Sequence, residues 1–221
     1  NPPIKGLIST HMHPPHWGGS PAIKKATGAP IICAPAEKEI LETRMGDTKV
    51  DKVVLDGELM SLGDITLQFV HAPGHTYGSL AVYIEESGAL FTGDNVMGIG
   101  TSVINPGEGE IGLFLETMEK FIKYKPTVIY PGQGPVVTNP RAKLLELIRH
   151  RHAREQQILE LLQESSRSVN DLLESMYTGL NQRLQQLAGN QIQSHLIKLE
   201  RDGKVTSFSG LYKLNQNSDQ Q

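Results

Sequence analysis

A single cysteine, Cys33, stands among 221 residues. One thiol excludes an intrachain disulfide framework and suits a reducing compartment. It lies in the apolar run Ile31-Ile32-Cys33-Ala34, which reads as a buried small hydrophobe rather than a nucleophile. No uninterrupted apolar run reaches roughly 18 residues, so no membrane-crossing helix and no membrane partner are expected. An excess of one charge is lacking as well: the net is −3, too mild to announce a polyanionic partner. Asn1 does not open a charged-then-apolar leader, so a targeting segment is expected either to be absent or to lie outside this sequence; an intracellular protein is expected.

The mild net charge hides a split. Residues 1–140 carry 10 Lys+Arg against 15 Asp+Glu, and residues 141–221 carry 11 against 9. Only the second part, net positive by two, makes nucleic acid electrostatically plausible, and weakly. The length suits a large domain with a smaller appendage. The division expected from composition and pattern is 1–140 and 141–221.

What the chain does have is Ser9-Thr10-His11-Met12-His13-Pro14-Pro15-His16-Trp17-Gly18-Gly19, three of its eight histidines within six residues. Ile4–Ile8 reads as a strand, and period-two alternation aims His11 and His13 the same way as it ends. His16 follows on a loop. Ser20-Pro21 then offers an N-cap and an N1 proline for a helix. Neutral imidazole is the commonest side-chain metal ligand, and two on one strand end plus one from afar make a zinc site. The plainer alternative is three unrelated surface histidines.

Further along, 21–27 reads as a short helix stopped by Gly28, 31–33 as a strand and 36–43 as a helix. Residues 52–55 are extended. Two hairpins follow, 58–61 with 65–70 and 80–85 with 89–92. Ile111, Phe114/Leu115, Met118 and Phe121/Ile122 repeat at helical spacing over 111–124, and 127–130 is a short buried strand. The strands come largely as antiparallel pairs, which predicts sheets covered by helices with site residues at strand ends. Three more polar residues take that position: His75 in Ala72-Pro73-Gly74-His75-Thr76, Asp94 in Phe91-Thr92-Gly93-Asp94-Asn95, and Gln133 in Tyr130-Pro131-Gly132-Gln133-Gly134-Pro135. Each alone reads as a turn residue; four in one structural role point to a site.

These four motifs together resemble the metallo-β-lactamase superfamily over most of residues 4–140. The resemblance implies an αββα sandwich binding one or two metals, usually zinc, at the mouth between its sheets. It assigns metal 1 to His11, His13 and His75, and a bridging role to Asp94. The second metal of the family takes an Asp before the third histidine, that histidine, and a His in the last turn; here those positions hold Pro15, His16 and Gln133. Proline cannot ligate, and a glutamine carbonyl replaces imidazole poorly. One zinc is therefore expected, on His11, His13 and His75, with His16 and Asp94 left beside an impaired second position. Three histidines and an open position suffice for a catalytic zinc. Only ten residues precede the motif where the family has several strands, so a fragment is expected.

His150-Arg151-His152-Ala153-Arg154-Glu155 resembles the lactamase-beta-like branch, whose animal members include a mitochondrial endoribonuclease and which carries a C-terminal winged helix. The C-terminal pattern fits one. A long helix spans 141–163 with Leu144, Ile148, His152, Ile158/Leu159 and Leu162 inward. Ser168–Asp171 opens a second helix through Met176, 190–200 gives a third, and 204–207 with 211–214 form a wing. Residues 217–221 are expected to fray. If nucleic acid binds, Gln193, Lys198 and Arg201 on the third helix and Lys204 on the wing would contact it. The expected function is zinc-dependent hydrolysis, with single-stranded RNA as the substrate implied by the branch and a mitochondrial or cytoplasmic location. A thioester or small-ester hydrolase, and a catalytically impaired scaffold, are the alternatives.

Overall fold

The computed structural model describes residues 3–215. In chain order its elements are β1 (Leu7–Ile8), α1 (Ser20–Thr27), β2 (Ile31–Cys33), α2 (Pro35–Met45), β3 (Lys52–Val53), β4 (Leu59–Leu62), β5 (Ile65–His71), β6 (Leu80–Ile84), β7 (Ala89–Gly93), α3 (Ile111–Tyr124), β8 (Val128–Pro131), α4 (Pro140–Glu164), α5 (Val169–Met176), α6 (Gln182–Arg201), β9 (Val205–Phe208) and β10 (Leu211–Leu214). A three-stranded sheet runs β1-β2-β3 and a five-stranded sheet β4-β5-β6-β7-β8.

Alternation along the strands builds four layers. On β2, Ile31 and Cys33 pack with Leu41 and Met45 of α2, while Ile32 between them packs with Leu67 and Phe69 of β5 and with Leu80 and Val82 of β6. The far face of the second sheet, through Val70, Ala81, Leu90 and Ile129, meets Phe114, Met118 and Phe121 of α3 and Leu144 and Leu147 of α4. The order is therefore helix, sheet, sheet, helix. Burial of each large apolar side chain in these layers contributes about 1.5–3 kcal/mol. Cys33 is free and fully buried, and burial pushes its thiol up to about 12. Among the described residues no helix is long and apolar enough to cross a membrane.

The remaining elements form the winged helix. α5 and α6 pack on the second half of α4 through Ile158, Leu162, Leu172, Ile192, Leu196 and Leu199, and Val205 of the β9–β10 wing closes that core. Ser168 and Asp171 make a reciprocal capping box at the start of α5, which satisfies two otherwise unpaired amides.

Three expectations need correction. The two expected hairpins are antiparallel as read, but the β1–β2 and β2–β3 pairs are parallel, and so is β7–β8; strand pattern alone does not reveal which neighbour a strand joins across a helix. The N-cap of α1 is Gly19, which makes no side-chain cap, and Ser20 lies inside the helix. The buried stripe of α4 is Leu144, Leu147, Arg151, Glu155, Ile158 and Leu162, whereas the His152 side chain is 58% exposed. The true stripe steps by three and four residues as a buried helix face must, but it carries two charges, which is why it was not legible. The expected frayed segment 217–221 lies outside the described residues.

Candidate metal centre

All four polar strand-end positions come to one mouth of the sandwich. β1 ends at Ile8 and the chain then bends, so His11 and His13 lie in irregular backbone beyond the strand, and Pro14–His16 forms a single 3-10 turn. That turn is fixed by its two prolines and swings His16 back over the site. Trp17 pins it by donating its indole N–H to the Met12 carbonyl at 2.7 Å. The turn after β8 approaches closely because Gly132 has no side chain: a Cβ there would sit 2.5 Å from Asp94 Oδ1 and 2.7 Å from His16 Cε1.

Two sets of donors result. The ligand atoms of His11, His13 and His75 lie within 4.8 Å of one another, and so do those of His11, His16 and Asp94. The ring centroids of His11 stand 4.8 Å from His13, 4.0 Å from His16 and 4.7 Å from His75. His75 Nδ1 bonds the Val103 carbonyl at 2.8 Å, so Nδ1 carries the proton and Nε2 keeps a free lone pair. Backbone-held tautomers of this kind orient metal-binding histidines. Thr10 Oγ1 bonds His11 Nδ1 at 3.1 Å and stands 3.4 Å from His16 Nδ1, leaving the Nε2 atoms to face inward. His13 Nδ1 is 3.0 Å from His75 Nε2, and Glu108 Oε2 lies 3.5 Å from His13 Nε2.

Electrostatics keep the cluster in the form that binds cations. Burial, then the neighbouring imidazoles of His16, His75 and His13, push His11 down to about 2, and burial lowers His75 as well. Both imidazoles are therefore neutral ligands at neutral pH. For Asp94 burial raises the carboxyl, but the imidazoles that face it, His16 first and then His11 and His75, outweigh it and hold the group below its usual range. Neutral donors around one carboxylate are a set suited to zinc. Among the described residues three buried atoms there make no aligned hydrogen bond: His11 Nε2, His16 Nε2 and Asp94 Oδ1, the last two standing 3.2 Å apart. Buried polar atoms are almost always paired, so orphans converging on one point fit a bound cation.

The two positions that depart from the family pattern are both accounted for. Pro15 is exposed on the 3-10 turn. Gln133 presents its amide nitrogen, donating to Asp94 Oδ2 at 2.6 Å; it does not offer its carbonyl to the cluster. One Asp94 oxygen is thus engaged, and His11, with a single free nitrogen, belongs to both donor sets. One imidazole lone pair serves one ion.

The residues expected to grip nucleic acid are placed elsewhere. Lys198 is buried and pairs with Glu155 Oε1 at 3.1 Å and Asp202 at 2.7 Å. Arg201 pairs with Glu110 at the N-terminus of α3. Gln193 donates to the Tyr212 hydroxyl at 2.8 Å. Lys204 is exposed at the start of the wing, and the Arg201 side chain, though paired, stays half exposed. α6 turns toward the sandwich, where Ser194 donates to the Ile104 carbonyl at 2.7 Å. Sequence reading missed Thr10, Glu108 and Val103 at the metal cluster, and also Glu37, buried under it and accepting from Thr76 Oγ1 at 2.7 Å.

Residues 1–133 match the family model described as the metallo-beta-lactamase superfamily, and 168–211 match the beta-lactamase associated winged helix domain. A beta-lactamase-like protein 2 homolog of Drosophila melanogaster is 30% identical over 218 residues, covering 91% of this chain and 70% of that one. An atrochrysone carboxyl ACP thioesterase of Paecilomyces divaricatus is 32% identical, covering 91% and 64%. The chain spans 63 to 70% of the length of such relatives. In fold it is similar to a beta-lactamase domain protein from Burkholderia ambifaria, with a TM-score of 0.83 at 18% identity over 96% of this chain and 74% of that one.

Proposed function

This chain belongs to the metallo-β-lactamase superfamily, and from that premise we propose that it hydrolyses a thioester or small ester using one divalent ion held by His11, His13 and His75. The observation that carries the reading is the convergence of three imidazoles on an orphaned, buried His11 Nε2. The thioester class is supported by relatives named as acyl-carrier-protein thioesterases. It is preferred to single-stranded RNA, the substrate of the mitochondrial endoribonuclease branch, because Lys198 and Arg201 are already committed to carboxylates.

A divalent ion such as zinc, when bound, polarises a carbonyl and brings the pKa of a water to about 7. The chain's own residues supply position and proton acceptance. Val103 fixes the His75 tautomer, and Thr10 orients the His11 ring. Asp94 stays ionised, and with Oδ2 taken by Gln133 its Oδ1, which faces His16 Nε2 at 3.2 Å, is the oxygen left to accept a proton of the attacking water. Pro15 offers no second carboxylate for that task, so Asp94 is the carboxylate that orients the water.

The test is a paired assay on the full chain with zinc supplied, using an acyl thioester and a single-stranded RNA. Thioester hydrolysis is expected at least about 10³-fold above background, as a metal-activated water allows, with RNA left intact. Cleavage of RNA with an untouched thioester would give the endoribonuclease reading its place. Loss of both would leave a scaffold.

A further inference from the structure

Between the sandwich and the winged helix lies a cavity of about 140 Å³, whose walls include Thr101, Ser102, Arg151, Arg154, Tyr177 and His195. We propose that this cavity is a binding site for a phosphate group, gripped by Arg151, Arg154 and His195. It is separate from the metal centre and does not depend on which ester the chain hydrolyses.

Arg151 carries the argument. It is among the largest fully buried side chains and only 2% exposed, yet among the described residues no carboxylate pairs with it. Its partners are neutral: Gln191 Oε1 at 3.0 Å, Thr101 Oγ1 at 3.1 Å and the Ser102 carbonyl at 2.6 Å. The Phe114 ring lies 5.1 Å from its guanidinium carbon. Its Nε–H has no partner. Buried charges are almost always paired, and an arginine fork with unused N–H groups is shaped for an oxyanion.

The neighbours point the same way. His195 is 2% exposed, its Nε2 is unpartnered and its Nδ1 stands 3.7 Å from Glu155 Oε1, too far for a hydrogen bond. Arg154 lies at the rim with its guanidinium 5.1 Å over the Tyr177 ring. The nearest acid on α4, Glu155, is held by Lys198, so it does not neutralise the two arginines. A water needs about 10–15 Å³ on the scale that gives this cavity its volume, so a tetrahedral anion fits.

The position gives the site a consequence. Ser102, whose carbonyl Arg151 binds, donates its hydroxyl to the Asp94 carbonyl, and Val103 holds His75. The occupant therefore sits behind the strip of chain that backs Asp94 and the metal-binding His75.

The experiment is calorimetric titration of inorganic phosphate into metal-free full-length chain at constant ionic strength. Binding is expected at about 10 mM phosphate or below, with a matching rise in melting temperature. Arg154→Gln, a rim change that leaves the core intact, should weaken it about tenfold, the loss expected for one charge-assisted bond. Arg154→Gln with His195→Gln should weaken it further, and His11→Ala should leave it unchanged. Coenzyme A displacing phosphate where unphosphorylated pantetheine does not would assign the phosphate to a substrate carrier. Failure of coenzyme A to compete would assign it to free phosphate. Absence of binding to the parent chain overturns the proposal, as does binding that the double substitution does not move.

Discussion

Replacing His11 with alanine should lower hydrolysis by at least about 10³-fold, because ion-activated water contributes several kcal/mol to the barrier and each 1.36 kcal/mol is a decade. His11 is chosen over its neighbours because both donor sets contain it. Its imidazole is neutral and its Nε2 has no hydrogen-bond partner among the described residues, so the substitution breaks no ion pair there. The metal-free variant should keep the circular dichroism spectrum of the metal-free parent while losing metal-induced stabilisation. Activity within tenfold of the parent, in protein shown to be folded, would remove this histidine from the site.

The second large effect is on stability. Glu155→Ala removes the carboxylate that faces Lys198 at 3.1 Å and His195 at 3.7 Å inside the winged-helix interface. Breaking a buried pair by deleting one partner costs about 3–5 kcal/mol. Asp202 still holds Lys198 at 2.7 Å, which places the expected cost at the lower end. For a chain of this size that is a fall in melting temperature of roughly 6–12 °C. The effect has a pH signature. Burial raises the Glu155 carboxyl, but the hydrogen bond from Lys198 and the proximity of His195 overcome it and bring the group to about 2, from an ordinary 4.5. A depressed carboxylate stabilises the fold fully above its unfolded value and loses that contribution as pH falls through the folded one. The gap between parent and Glu155→Ala in urea unfolding should thus be full at pH 7 and shrink as pH falls from about 4.5 toward 2. A gap that is absent at neutral pH would mean that Lys198 and Asp202 suffice without Glu155.

Much of the site can be read in the sequence because its residues sit beside turn-forming glycines and prolines at strand ends. His11, His13, His16, His75, Asp94 and Gln133 are all brought to one mouth. What could not be read is what each side chain touches. Val103 and Thr10 are ordinary residues until folding places them against His75 and His11. Gln133 was visible as a departure, but its amide could not be known to turn its N–H toward Asp94. Lys198 and Arg201 looked like free cations on a helix surface because their acids, Glu155 and Glu110, are distant in sequence. The α4 stripe hid for a related reason: Arg151 and Glu155 occupy core positions, where charge ordinarily marks the solvated face.

The account rests on a single-ion centre, and metal content tests it most directly. The chain saturated with zinc and freed of excess should contain close to one zinc by elemental analysis, since His11 serves both donor sets and Gln133 occupies Asp94 Oδ2. Pro15→Asp with Gln133→His should move that content toward two, and each change alone should do less, because ligands of one site act together. One zinc in the parent is the predicted result. Two tightly held zincs per parent chain, with both lost on His11→Ala, would contradict it.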